Sequence, residues 1–337
     1  MTKIIVDAYG GDYAPKEIID GSIYALKAEQ DLSIVLVGKE TQIKELVALD
    51  CKDESILKRI EVLDAQDVIT NDDVPTEAIR HKTESSIVKG MKRFKEDDEC
   101  QGFVSAGSTG AVLVGATLIA GRIPGINRPA LAPFLPTIKG GQVILCDCGA
   151  NIDCKEINLQ QFAHMGTAYA KANGIENPRV GLLNNGAEEH KGTELNRNVY
   201  QLLKEDKKLN FVGNCEARDI LSGNYDVVVS DGFNGNIALK SCEGTANAIF
   251  SLLKDGIMKG GFRAKLGYLF LKPTLKKLVN TVDYNDNGGA CFLGVNKVIV
   301  KSHGASKAKS IRASILQCYG LIKADVVGKI KEGISQD

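Results

Sequence analysis

Short apolar runs along this chain repeatedly close on Asp, Ser, Asn and Gly. Ile4-Ile5-Val6 runs into Asp7-Ala8-Tyr9-Gly10-Gly11-Asp12, and residues 102–104 run into Ser105-Ala106-Gly107-Ser108-Thr109-Gly110. Residues 143–145 lead to Cys146-Asp147-Cys148-Gly149-Ala150-Asn151, residues 180–183 to Asn184-Asn185-Gly186, and residues 227–229 to Ser230-Asp231-Gly232-Phe233-Asn234-Gly235-Asn236. Runs this short, bounded by turn formers, predict buried strands. Two more are expected at 33–38 and 60–63. Between them apolar residues recur at helical spacing, as in Ile18, Ile19, Ile23 and Leu26 behind Pro15, or Ile43, Leu46 and Val47. Further helices are predicted over about 85–95, 156–173 and 235–253, while polar residues 64–83 are not expected to be regular throughout. Strands alternating with helices predict an α/β fold with a doubly wound, mostly parallel sheet.

Beyond Gly121 the pattern changes. Residues 122–129 form a loop with two prolines, and 130–138 and 142–145 flank Lys139-Gly140-Gly141 as a hairpin would. Such an interruption predicts a second lobe or an arm used in dimerisation. Ile311, Ile315, Tyr319, Ile322, Val326 and Ile330 predict one final helix over 305–331. The expected organisation is a single unit over 1–337 with a central cleft. One lobe comprises 1–121 with helix 305–331; the other comprises 122–304, with the hairpin arm and a basic helical hairpin at 255–280.

In open α/β sheets ligands bind at the carboxyl ends of the strands. Three polar, glycine-bearing strand ends, at 105–110, 147–151 and 230–236, are therefore expected around one site. The first is a strand, a tight glycine turn and a helix start, where backbone N–H groups and the helix dipole favour an anion. An ordinary strand-to-helix turn capped by Ser108 is the alternative. Neither a Walker loop nor a Gly-x-Gly-x-x-Gly fingerprint is present.

Composition narrows the class. Of 337 residues, 44% are hydrophobic and 25% charged, as in ordinary soluble proteins, and 42 basic residues balance 42 acidic ones. No global field favours nucleic acid. Nine cysteines, scattered and odd in number, predict no disulfide framework and fit a reducing cytoplasm. The first strand begins within three residues, which predicts no signal peptide, and no apolar run is long enough to span a bilayer.

The strand ends also carry a resemblance. DAYGGD at 7–12, SAGSTGA at 105–111, RIPGINRPAL at 122–131, CDCGAN at 146–151, VGLLNNG at 180–186 and EEHKGTE at 188–194 occur in order. DVVVSDGFNGNIALK at 226–240, NGGACFLGVN at 287–296 and HGAS at 303–306 follow. Together, over essentially the full length, they resemble the bacterial acyl-(acyl carrier protein):phosphate acyltransferase family. Tyr9 stands where that family usually has Met, Ser108 where it has Asn, Asn287 where it has Tyr and Cys291 where it has Pro. The resemblance implies an isocitrate dehydrogenase/phosphotransacetylase-like fold with a cleft between two lobes, and a homodimer. It implies transfer of a fatty acyl group from acyl carrier protein to inorganic phosphate, for phospholipid synthesis; with no metal quartet or dinucleotide fingerprint in the sequence, neither metal nor cofactor is expected.

That reaction needs orientation and charge stabilisation more than a strong acid–base pair, since a thiol of pKa near 8.5 leaves readily. Orientation can supply roughly 7–11 kcal/mol and one oxyanion donor about 2.7–4 kcal/mol. The phosphate-binding candidates are Ser105, Gly107, Ser108, Thr109, Gly110, Asn151 and Asn184. Lys191 would be the nearby cation, and Asp231, Asn234 and His303 complete the catalytic set. Asp7, Asp147 and Asn236 are further cleft candidates. Each Asn or Asp could instead satisfy its own turn, Lys191 could be a surface residue, and His303 a structural donor. Cys146, Cys148 and Cys154 lack an evident fourth ligand and read as buried hydrophobes rather than a zinc site. A nicotinamide-dependent β-decarboxylating dehydrogenase of related fold would need more arginines than Arg122 and Arg128. A scaffold that only binds carrier protein or membrane would not need three polar strand ends.

One stretch stands apart. Lys259, Arg263, Lys265, Lys272, Lys276 and Lys277 are basic, and no acid intervenes between Asp255 and Asp283. Phe262, Leu266, Leu269 and Phe270 recur at helical spacing, and Pro273 predicts a kink. This reads as a peripheral membrane contact, giving a cytoplasmic protein associated with the membrane surface. The competing reading is a dimer interface with lysines that attract an acidic carrier protein.

Overall fold

A computed structural model of the chain describes residues 1–282 and 288–334, the side chains of 276–282 excepted. Asn287 and the side chains of Lys276 and Lys277 lie outside what is described. The first third runs β1 (Thr2–Asp7), α1 (Lys16–Ala28), β2 (Leu32–Gly38), α2 (Glu40–Asp50), α3 (Glu54–Leu57), β3 (Ile60–Asp64), α4 (Pro75–His81), α5 (Ser86–Glu96), β4 (Cys100–Ser105) and α6 (Thr109–Gly115). Then come β5 (Ala130–Ala132), β6 (Phe134–Pro136), β7 (Gln142–Cys146), α7 (Glu156–Ala172), β8 (Arg179–Asn184), α8 (Glu194–Glu205), β9 (Asn210–Glu216) and β10 (Val227–Val229). The last part holds α9 (Gly232–Lys259), α10 (Gly261–Val282), β11 (Ala290–Leu293), β12 (Val298–Lys301), α11 (Ala308–Lys323) and α12 (Val326–Ile334).

Among the described residues these strands make two sheets, ordered β3-β2-β1-β4-β12-β11-β5 and β6-β7-β10-β8-β9. Pairing is parallel except at β12–β11, β11–β5 and β6–β7. The doubly wound, mostly parallel α/β expectation therefore holds. Alternate residues of a strand feed opposite faces: Ile4 and Val6 join one apolar cluster, Ile5 the other. Each cluster draws on both sheets, so two apolar layers run across the whole molecule. Local chemistry sets the helix starts. Ser85 accepts the Val88 N–H ahead of α5, Pro75 opens α4, and Thr193 with Asn196 forms a capping box on α8.

Several expectations need correction. The stretch 130–138 is not one strand: β5 pairs with β11 in the first sheet and β6 with β7 in the second. Pro133, between them, has no N–H for a ladder. The hairpin is no projecting arm, because β7 also pairs with β10 and buries Val143 to Cys146. The span 122–304 is thus divided between the sheets, with β5, β11 and β12 joining the first. The final helix is two helices, broken where Asp325 takes φ 49° and its carboxylate accepts the Gly328 N–H at 3.1 Å. The helical hairpin turns at Gly260-Gly261, Gly261 having φ 69°, and Pro273 lies inside α10 without ending it.

The start of α9 lies so close to the end of β7 that a Cβ on Gly235 would sit 1.9 Å from the Asp147 carbonyl oxygen; one on Gly244, further along, would meet nothing within 4 Å. Gly235→Ala should cost about 1–3 kcal/mol by overpacking. Gly244→Ala should be neutral or stabilising by up to about 1 kcal/mol through helix propensity. Urea unfolding of the two variants checks this packing, and equal midpoints would refute it.

Candidate active site

The chain leaves β1 toward β2 on one side while β4 lies on the other, so the winding reverses between β1 and β4. Such a switch point opens a crevice at the strands' carboxyl ends. Here the Ser105 hydroxyl donates to Asp7 Oδ2 at 2.7 Å, the Tyr9 N–H donates to Asp7 Oδ1 at 3.2 Å, and Ser105 Oγ accepts the Gly107 N–H at 3.0 Å. Gly10 permits this closeness, since a Cβ there would stand 2.5 Å from Asp7 Oδ2 and 2.6 Å from the Gly107 nitrogen. The loop after β12 locks in as well. The Asp12 N–H donates to the Gly304 carbonyl and the Ser302 N–H to the Ser105 carbonyl, both at 2.9 Å. Burial pushes the Asp7 carboxyl above its ordinary pKa; bonds from Ser86, Ser105 and Tyr9 and the nearby Lys301 charge oppose that rise.

Above this knot lies a cleft of about 550 Å³. The first sheet contributes Asp12, Gly107, Thr109, Lys301 and His303. Facing them are Gly149 after β7, and Asn236, Lys240 and Glu243 on the first turns of α9. Lys240 donates to Glu243 at 2.6 Å. An apolar strip runs along one wall: Leu131, Pro133, Phe134, Leu135 and Leu239. One cleft thus offers polar, partly cationic ground beside an apolar strip. The N–H groups opening α6 also have no intrahelical acceptor.

Of the candidates, Gly107, Thr109, Asn236 and His303 line this cleft. Asp7 and Ser105 lie beneath it, buried, and hold the loop rather than face a ligand; the Gly107 N–H is likewise spent on Ser105. Ser108 precedes α6 without a side-chain cap bond, and Gly110 gives room to Pro75, which a Cβ would meet at 2.6 Å. Asp147 and Asn151 turn inward. The Asp147 carboxylate accepts from the Leu131, Ala150 and Asn151 N–H groups and from the Asn151 side chain, whose amide also donates to the Pro129 carbonyl at 2.7 Å. Burial pushes the Asp147 carboxyl up, and those donors pull it part-way back.

The other candidates lie along the second sheet's carboxyl edge, outside the cleft lining. Asp231 caps α9, accepting the Asn234 N–H at 2.8 Å and its side-chain amide at 2.7 Å. The Asn184 amide donates to the Lys191 carbonyl at 3.2 Å, and the Lys191 side chain is exposed. Cys146 and Cys148 are buried, with thiols pushed well above their ordinary pKa by desolvation. Among the described residues no three His, Cys, Asp or Glu side chains converge as metal ligands would.

Sequence reasoning missed Lys301, Lys240, Glu243 and the apolar wall. The signal for Lys301 was present: a lysine closing the apolar run Val298-Ile299-Val300, two residues before His303. It is only 7% exposed, and desolvation lowers its pKa to about 8.

The sequence profile of a family described as fatty acid synthesis protein matches residues 2–329. The chain is 48% identical over 335 residues to a phosphate acyltransferase of Clostridium novyi (strain NT), covering 99% of each chain. It is 44% identical over 336 residues to a phosphate acyltransferase of Bacillus cereus (strain B4264), again covering 99% of each. Among solved structures, a branched-chain phosphotransacylase from Enterococcus faecalis V583 is similar, with TM-score 0.58 at 15% identity over 95% of this chain and 99% of that one. EutD phosphotransacetylase from Staphylococcus aureus is similar too, with TM-score 0.57 at 16% identity over 96% and 94%. At such identities the likeness is one of fold.

Proposed function

The chain belongs to the fatty acid synthesis protein family, and we propose that its cleft moves a fatty acyl group from a thioester to inorganic phosphate. The observation that carries this reading is the pairing of oxyanion-binding ground with an apolar wall in one cleft at the switch point. The α6 start and Thr109 suit phosphate; Leu131, Pro133 and Leu239 suit an alkyl chain. An oxygen of hydrogen phosphate dianion forms a bond to the thioester carbonyl carbon, and the carbon–sulfur bond breaks. The leaving sulfur takes the phosphate's proton, so the products are acyl phosphate and free thiol. Thiolate departure needs little acid assistance. The protein's part is to orient the two substrates and stabilise the developing oxyanion, which calls for N–H and amide donors such as Asn236.

The acyl donor is acyl carrier protein in this proposal, which the family description and the ordered motifs support. Lys191, exposed at the β8 end, supplies a cation at the rim of the second sheet. Its loop is set by Gly192, whose φ of 90° and whose closeness to Asn184 exclude a side chain. Asp231 and Asn234 shape the neighbouring strand end. The chain works as a homodimer, for which Ile249, Leu252 and Leu253, exposed on α9, provide apolar surface.

The α9–α10 hairpin is the membrane contact in this proposal. Phe262, Leu266, Leu269 and Phe270 are exposed, Phe262 and Phe270 by 79% each, with Arg263, Lys265 and Lys272 among them. Among the described residues no helix is long and apolar enough to cross a membrane. Contact would be peripheral: each basic residue near an anionic surface adds about 1 kcal/mol, and each buried Leu or Phe roughly 1.5–3 kcal/mol. Acyl phosphate is itself lipid-like, so release at a lipid surface suits the product.

Two measurements test these readings. Thiol release from a long-chain acyl carrier protein should require phosphate, and Lys191→Ala should lower turnover by about 10²-fold without unfolding, the scale of losing one charge-stabilising group. Release that persists without phosphate would identify a thioesterase instead. In sedimentation with anionic liposomes at low salt, the parent should pellet and Leu269→Glu/Phe270→Glu should stay in solution. If both pellet alike, or the parent stays in the supernatant as a dimer, the hairpin serves subunit contact.

A further inference from the structure

Burying a lysine is costly unless something offsets the lost hydration, and Lys301 is buried at the last position of an otherwise apolar strand. In register it stands beside Ser105 on β4 and Ala290 on β11. Its ammonium donates to the Ser302 carbonyl and forms no ion pair among the described residues. An ammonium carries three donors, so two remain unaccounted for. Asp7 at the end of β1, Asp12 in the loop after it, and Lys240 on α9 are the ionisable groups that act on it. Glu243 on α9 and His303 from its own loop line the same cleft. Asp7 is already satisfied by Ser105, Ser86 and the Tyr9 N–H, so it does not need this cation as a partner.

We infer that Lys301 binds the tetrahedral oxyanion in this cleft, its ammonium acting with the Thr109 hydroxyl. The inference rests on the acyl-transfer reading for naming that oxyanion as the phosphate substrate. It adds a cation inside the cleft to Lys191, which lies on the other sheet's rim. Burial explains the choice of residue. In a site shielded from water a charge-assisted bond to an oxyanion is strengthened, and the anion returns what the lysine lost in hydration. Burial also holds the free lysine near pKa 8, so the site loses its charge as pH rises through that value. Oxyanion affinity is then full below about pH 8 and falls above it.

The test uses the full-length protein and inorganic phosphate as the probe. Lys301→Met keeps the side chain's length and apolar stem but removes the charge. It should raise KM for phosphate by about 10- to 100-fold, the equivalent of one charge-assisted hydrogen bond, while KM for the acyl thioester stays within about twofold. Phosphate should raise the parent's melting temperature and leave that of Lys301→Met unchanged. In the parent, kcat/KM for phosphate should fall above about pH 8, a measurement that does not depend on the variant folding. A phosphate KM equal to the parent's in Lys301→Met, or a parent profile flat from pH 7 to about 9.5, would overturn the inference and leave the transferase reading intact. Thermal protection that depends on Lys301, seen alongside phosphate-independent thiol release, would keep the oxyanion site and remove the transferase.

Discussion

Both sheets and the longest helix converge on one carboxylate. Asp147 is fully buried, and its two oxygens accept four hydrogen bonds, one of them from Leu131 in the first sheet and three from residues 150 and 151. The backbone completes the junction: the Cys148 N–H donates to the Leu131 carbonyl, and the Gly232 N–H to the Asn151 carbonyl at 2.7 Å. Removing water from a carboxylate is expensive, and a full set of donors is what makes the position tolerable. The same donors fix the angle between the sheets and the point from which α9 departs. Cys148, Gly149 and Leu131, which line the cleft, are held directly beside this bracket.

Opposite, the strand ends of β1, β4 and β12 form a second internally satisfied knot around Asp7 and Ser105. The two knots divide the polar residues into those that build the cleft and those that face it. Asp7, Ser105, Asp147 and Asn151 spend their hydrogen bonds within the protein. Thr109, Asn236, Lys240, Lys301 and His303 line the space between. Catalysis by orientation requires such a division, because a phosphate held by loops that themselves shift would gain little of the entropic advantage of binding.

The fold was legible because its strands are short apolar runs closed by turn formers, and β1 and β2 remain buried on both faces. What pattern could not reveal was partnership. Ala130 to Pro136 reads as one strand, yet it serves two sheets, and only the missing N–H of Pro133 hints at the division. The break at Asp325 carries no Gly or Pro; an Asp in the left-handed region does that work, with its own carboxylate as the next cap. In the site, the glycine turn at 105–110 was readable from residue type alone. Asp147 and Asn151 were readable as important but not as inward-facing, since strand-end Asp and Asn look the same whether they face ligand or backbone. Lys301 was obscured for the opposite reason. A lysine at the end of a strand is ordinarily exposed, and only the packing of β4 and β11 on either side makes it a buried cation.

The length of α9 ties chemistry to surface. Its first turns pack on the Asp147 bracket and present Asn236, Leu239 and Lys240 to the cleft; beyond about residue 243 it leaves the body, and most of its side chains are exposed. Its 28 residues span about 42 Å at 1.5 Å per residue. A helix of that length with a polar, anchored start and an apolar, exposed end cannot owe its stability to its own packing alone. The Gly260-Gly261 turn leads into α10, on which Phe262, Leu269 and Phe270 are exposed. The anchored end places Asn236 and Lys240 at the cleft, and the far end carries exposed apolar side chains among basic ones.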